Sequence, residues 1–116
     1  MTAAIMFGVS LAAQAQAQTQ AQTQSQAQSL ADARRAVRAA DCARCHGKDH
    51  EGLAAPSIVE FARTQGRERF IAAVLDGNPP MGMPAYRGNP PVESRIDDIY
   101  RYFAGRADGS IAPDGK

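Results

Sequence analysis

The sequence predicts an all-α fold in one small domain, and three observations predict it. Apolar residues return every three or four positions in several segments between residues 30 and 105, the period of a helix that buries one face. Nowhere do apolar and polar residues alternate over the roughly four to eight positions of a half-buried strand. Gly and Pro fall where the helical periods stop, as they do just beyond helix ends. With thirteen Lys plus Arg against twelve Asp plus Glu, the 116-residue chain carries a formal charge of only +1. That balance excludes a nucleic-acid binder built on a basic footprint.

The chain divides by composition, and every charged residue lies at or beyond Asp32. Residues 2–13, TAAIMFGVSLAA, form an apolar run of the length of a secretory signal core. The small-x-small sites Ala13-Gln14-Ala15 and Ala15-Gln16-Ala17 follow it. Residues 1–17 are therefore expected to be a signal peptide that sends the protein to the periplasm, although no Lys or Arg precedes the run. A dozen residues containing Gly8 and Ser10 fall short of the ~20 needed to span a bilayer, and nothing later is long or apolar enough. Gln then occupies every even position from 14 to 28, among Ala, Thr and Ser. That tract offers no apolar face in either period, so residues 18–29 are expected to be a disordered linker. Residues 30–116 form the folded domain.

Within that domain, residues 30–41 put Ala33, Val37 and Ala40 on one face and predict a short first helix. Ile58, Phe61 and Ala62 predict a turn or two of helix over 57–64. Residues 67–76 gather Phe70, Ala73 and Val74, and Gly77 and Pro79 stop them. Ser94 and Asp97 read as a capping box. The last helix, 95–105, aligns Ile96, Ile99, Tyr100 and Phe103. A domain this small buries only roughly 60–65% of its unfolded surface, and this one has no Trp and only six aromatic residues beyond position 31. It is expected to complete its core with something other than protein.

Residues 42–46 read Cys-Ala-Arg-Cys-His, the C-x-x-C-H signature of covalent haem c attachment. Cys42 and Cys45, on one helical turn, can each add across one vinyl group of a porphyrin, and His46 then stands under the iron. Other readings of the pair fit less well. A thioredoxin-type pair follows a βαβ pattern, whereas the residues before Cys42 are helical in period. A zinc site needs four ligands, and only His46 and His50 remain to complete it. A disulfide leaves His46 without a role. For the second axial position, His50 follows His46 too closely: a four-residue span reaches about 13–14 Å at most, too little to round the haem edge. Met81 and Met83 lie in Gly-Asn-Pro-Pro-Met-Gly-Met-Pro-Ala-Tyr, residues 77–86, where Pro and Gly oppose helix and sheet. Pro84 biases Met83 towards an extended backbone, and Gly82 leaves Met81 permissive, which favours Met83.

A helix, C-x-x-C-H, a later Met-Pro-Ala-Tyr and a closing amphipathic helix resemble a class I c-type cytochrome over about residues 30–105. The resemblance implies a cytochrome c fold, its helices wrapped around one covalently bound haem c and its first and last helices crossing. Taken residue by residue, it implies thioethers at Cys42 and Cys45, with His46 and Met83 as axial iron ligands. It also implies a Pro56 carbonyl that holds the His46 imidazole, and Tyr86 beside the haem. The run IDDIYRYFAGRADG at 96–109, with the Pro/Gly tail ending in Lys116, resembles small periplasmic cytochromes of bacterial methanol and alcohol oxidation. That likeness implies electrons received from a quinoprotein methanol or alcohol dehydrogenase and passed towards a terminal oxidase or another cytochrome. A lysine-rich docking ring is missing, since Lys48 and Lys116 are the only lysines.

No acid–base pair argues for an enzyme, because Asp97 and Asp98 are adjacent on a helix and do not face each other. The expected protein is an exported electron carrier with one haem. Two alternatives stand beside it. One is a five-coordinate, ligand-binding or peroxidatic haem protein with both Met81 and Met83 off the iron. The other is a cytochrome subunit permanently docked to a dehydrogenase.

Overall fold

The computed structural model describes residues 10–115. Most of the apolar run at 2–13, on which the signal-peptide expectation rests, lies outside the described residues, as does Lys116. Among the described residues there are five α-helices, one 3₁₀ turn and no strand, and no helix is long and apolar enough to cross a membrane.

The first helix, α1 (Leu11–Ala39), has 29 residues, a length of about 44 Å. The helix runs straight through the Gln tract at 18–29, where composition alone leads one to expect a disordered linker. Ala and Gln are strong helix formers, and the hydroxyls of Thr19 and Thr23 each donate to the carbonyl four residues back at 3.0 Å. Composition does exclude burial here: residues 10–28 are all exposed, and they stretch the molecule to 83 × 29 × 22 Å. Only the end of α1 is anchored, through buried Ala33, Ala36 and Val37. Asp41 then takes φ 57°, a left-handed conformation that Asp tolerates, and turns the chain out of the helix.

The segments expected at 57–64 and 67–76 are one kinked element, α3 (Ile58–Asp76). Gly66 sits at its kink with φ 77° and ψ 177°, a backbone that glycine adopts without steric cost. The Ser57 hydroxyl accepts the Glu60 N–H at 3.0 Å and caps the start. Gly77 closes the end at φ 63°, its N–H donating to Ala73. A Cβ at Gly77 would collide with the Pro84 carbonyl, so this residue both ends the helix and lets the following loop return against it.

The capping box at Ser94 is not formed. Ser94 ends the short α4 (Pro90–Glu93), and Arg95 precedes α5 (Ile96–Asp108) without a side-chain cap. Asp97 is instead drawn into an ion pair with Arg67 that ties α5 to α3. The α5 helix packs against both α1 and α3 and buries Ile96, Ile99, Tyr102 and Phe103. Tyr100, expected on that face, is half-buried at its margin, 5.4 Å from the Phe70 ring. Phe70 and Phe103 are the largest fully buried side chains, their rings 5.8 Å apart. Each contributes about 1.5–3 kcal/mol of apolar burial.

Candidate functional site

An apolar cavity of about 640 Å³ lies between the turn after α1, the α3 helix, the 78–86 loop and α5. Val37, Ile58, Phe61, Phe70, Ile99 and Phe103 form much of its wall. Cys42, Cys45, His46, Pro56, Met81, Met83 and Tyr86 border the same space. All the site residues picked from the sequence are thus brought together. The volume falls in the range of cofactor sites, about 300–1,000 Å³.

The single-turn α2 (Ala43–His46) sets the cysteine wall. The Cys42 carbonyl accepts from Cys45 N–H at 3.3 Å and from His46 N–H at 3.0 Å, which stacks the two thiols one turn apart with the imidazole next to them. Both cysteines are free thiols, so the disulfide reading finds no support. Burial pushes the Cys42 thiol up to about 11, and it stays protonated near neutrality. Among the described residues, no three or more His, Cys, Asp and Glu side chains gather to hold a bare metal ion, which leaves the zinc reading without a ligand set.

The loop after α2 folds back on the turn. Gly52 N–H donates to His46 carbonyl at 2.8 Å and Ala55 N–H to Cys45 carbonyl at 2.9 Å. Those two bonds return Pro56 to the imidazole, and His46 Nδ1 lies 2.6 Å from the Pro56 carbonyl. A neutral imidazole donating there from Nδ1 keeps Nε2 free as an acceptor for a metal.

The methionine loop is pinned by its own backbone. Asn78 N–H donates to Met83 carbonyl at 2.9 Å, and Met83 N–H returns to Asn78 carbonyl at 3.1 Å. A 3₁₀ turn, Pro79–Met81, fills the interval, so the loop is more regular than its Pro/Gly content predicts. Met83 is half-buried, whereas Met81 is 82% exposed. Tyr86 donates from its hydroxyl to Ala40 carbonyl at 3.4 Å, and burial raises its pKa, so it remains a neutral phenol. Asn78 was not singled out from the sequence, because its part is played by backbone atoms that side-chain type does not report.

His50 stands apart from this cavity. It is buried with its ring edge-on to Phe103 at 5.2 Å. Burial first, then Arg106 and the neighbouring His46, hold its pKa below the ordinary 6.5, with Asp49 opposing them. The folded state therefore binds fewer protons at His50 than the unfolded state does. Stability is fully present above about 6.5 and is lost as pH falls through the depressed folded value. Denaturation midpoints between pH 8 and 5 should fall on the acid side in the native protein and fall less in His50→Asn, a residue that tolerates the φ of 60° here. Equal acid sensitivity in both proteins would sink this assignment.

A turn that presents two thiols and a backbone-held imidazole to a porphyrin-sized apolar hollow defines the chain as a c-type cytochrome domain. Residues 28–103 match the family described as cytochrome c oxidase, cbb3-type, subunit III, and the chain belongs to that family of c-type cytochromes. It is 37% identical over 71 residues to cytochrome c-555 of Methylococcus capsulatus, covering 60% of this chain and 56% of that one. Cytochrome c-553I of Paracoccus denitrificans is 34% identical over 80 residues, 63% of this chain and 35% of its own length. A cytochrome c-553-like protein of Synechocystis is 35% identical over 73 residues, 63% of this chain and 66% of its own. The chain thus spans about a third to two thirds of the length of these relatives. No solved structure matches it. Membership brings a covalently bound haem c, and the residues around the cavity fit one: soft sulfur and imidazole donors on an apolar wall.

Proposed function

We propose that the protein is an exported one-electron carrier. Cys42 and Cys45 attach its haem c, and His46 and Met83 are the axial ligands. The observation that carries this reading is the His46 Nδ1 to Pro56 carbonyl contact of 2.6 Å in a cavity that Met83 also borders. When bound, the haem supplies a one-electron iron couple, and His/Met ligation raises its potential. The chain's own contribution is rigidity. The Pro56 carbonyl fixes the imidazole ring, the Asn78–Met83 bridge fixes the thioether, and Phe70 and Phe103 keep water from the hollow. Two ligands held in this way leave no open coordination position for catalysis and keep rearrangement on electron transfer small.

The likeness of residues 96–109 to cytochromes of alcohol oxidation supports a quinoprotein methanol or alcohol dehydrogenase as donor, and a terminal oxidase or another cytochrome as acceptor. Encounters would be brief and at the small end of interface sizes. Voltammetry of the haem-loaded protein should give one reversible one-electron wave, and a purified alcohol dehydrogenase should reduce it in stopped flow. Rapid carbon monoxide binding by the reduced protein would instead establish a five-coordinate, ligand-binding protein. Co-purification with a dehydrogenase at a fixed ratio would establish a docked subunit.

A further inference from the structure

A second recess, also of about 640 Å³, adjoins the haem cavity and shares Val37 and Asp41 with it. Its charged lining is Arg34, Arg38, Arg44 and Lys48 against one carboxylate, Asp41. That concentrates positive charge in a chain whose formal total is only +1. Arg38 and Arg44 are also the two arginines that make no hydrogen bond or ion pair among the described residues. The other nine all donate to a partner. Acidic side chains are plentiful enough to pair them elsewhere, yet here Arg38, Arg44 and Lys48 stand together without an ion-pair partner among the described residues.

An independent observation points the same way. His50, only 9% exposed, forms part of the recess wall, and its Nδ1 has no hydrogen-bond partner. A buried polar atom left unpaired costs about 1–3 kcal/mol, so the His50 imidazole beneath this wall keeps a hydrogen-bonding atom that no protein group uses. The C-terminal tail closes one side through Pro113, held by Arg34 donating to the Asp114 carbonyl at 2.5 Å. The tail thus bounds the recess on one side, and its cationic lining selects for negative charge.

We propose that this recess binds a small multivalent oxyanion, and binds it more tightly in the oxidised protein than in the reduced one. The second half rests on the haem reading above. Ala43 and Arg44, which line the recess, are the two residues between the attachment cysteines, so the ion sits beside the group whose charge changes. An extra positive charge at the iron attracts the anion, and by reciprocity the anion stabilises the oxidised state and lowers the reduction potential.

The test uses the haem-loaded protein and inorganic phosphate, with chloride holding ionic strength constant. Amide NMR shifts at Arg38, Arg44, Lys48 and His50 should saturate, with affinity about fivefold or more higher in the oxidised state. Arg38→Ala and Arg44→Ala should each weaken binding about tenfold, while Arg63→Ala, an exposed arginine paired with Glu60, leaves it unchanged. Shifts that never saturate, or that Arg38→Ala does not alter, overturn the site. Saturable binding of equal strength in both oxidation states overturns the redox coupling. The same shifts from a polyglutamate peptide but not from phosphate would assign the recess to protein docking and overturn the proposal. The haem reading is decided separately, by the absorption spectrum of the same sample.

Discussion

Cys42→Ser/Cys45→Ser made without haem is expected not to fold. Among the described residues the buried apolar set contains three alanines among its eleven members, and the two largest fully buried side chains, Phe70 and Phe103, both line the cavity. Without haem that cavity is a void of about 640 Å³. At about 24 cal/mol per Å³, an upper bound that treats the cleft as sealed and dry puts its cost on the order of 15 kcal/mol if the walls stay in place. Small domains have only about 5–15 kcal/mol of total stability, so the walls must collapse or the helices part. Burial at Cys42 adds to the argument, since a half-buried thiol held near 11 sits where a thioether, with no charge to desolvate, is at home. Circular dichroism should show most of the helical signal lost, the exposed part of α1 included because its packed end is gone, and cooperative thermal unfolding should disappear. The native chain expressed without haem ligation should behave alike. A haem-free protein with a cooperative transition within a few degrees of the loaded one would refute this dependence.

The same energetics explain what the sequence made legible. Apolar spacing found α5 and the end of α1, because a helix packed on one face must repeat its apolar residues. Gly77 announced the end of α3, since few residues other than glycine tolerate its φ of 63°. Periodicity could not decide whether 18–29 was ordered. A polar Ala/Gln tract can be helical with nothing to bury, and its helix propagates from the packed turns that follow it. Nor could it weigh Ser94 against its surroundings. The capping box is a local pattern, and the pull of Arg67 on Asp97 comes from thirty residues away. Tyr102, which the apolar spacing did not single out, is buried while Tyr100 packs half-buried against Phe70, because both lie near the edge of the α5 apolar face and neighbouring elements choose between them. Of the site itself, the attachment turn was readable because its chemistry is written in consecutive residues. The Pro56 contact came from likeness alone, and its geometry depends on two backbone bonds, Gly52 to His46 and Ala55 to Cys45, that no side chain encodes.

Met83→Ala should remove the sulfur ligand while Met81→Ala leaves it in place, and the backbone around each residue supplies the reason. Met83 is held on both sides, by its mutual hydrogen bonds with Asn78 and by Pro84, and its side chain is half-buried beside the cavity. Met81 ends a 3₁₀ turn, precedes a left-handed Gly82 and is 82% exposed. Met81 borders the same cavity, but no comparable backbone bridge or burial holds its side chain there. Oxidised Met83→Ala should therefore lose the near-infrared sulfur-to-iron charge-transfer band, and the reduced form should bind carbon monoxide. Its reduction potential should fall, because the thioether favours the reduced iron. Truncation also destabilises, by about 2 kcal/mol, the low end for a methionine-to-alanine change because the side chain is only partly buried. Met83→Leu separates the two effects: it keeps most of the volume, costs less than about 1.5 kcal/mol, and should still lose the band. If the band survives Met83→Leu and vanishes in Met81→Ala, the loop presents the other sulfur, and the Asn78–Met83 bridge has a purely structural role.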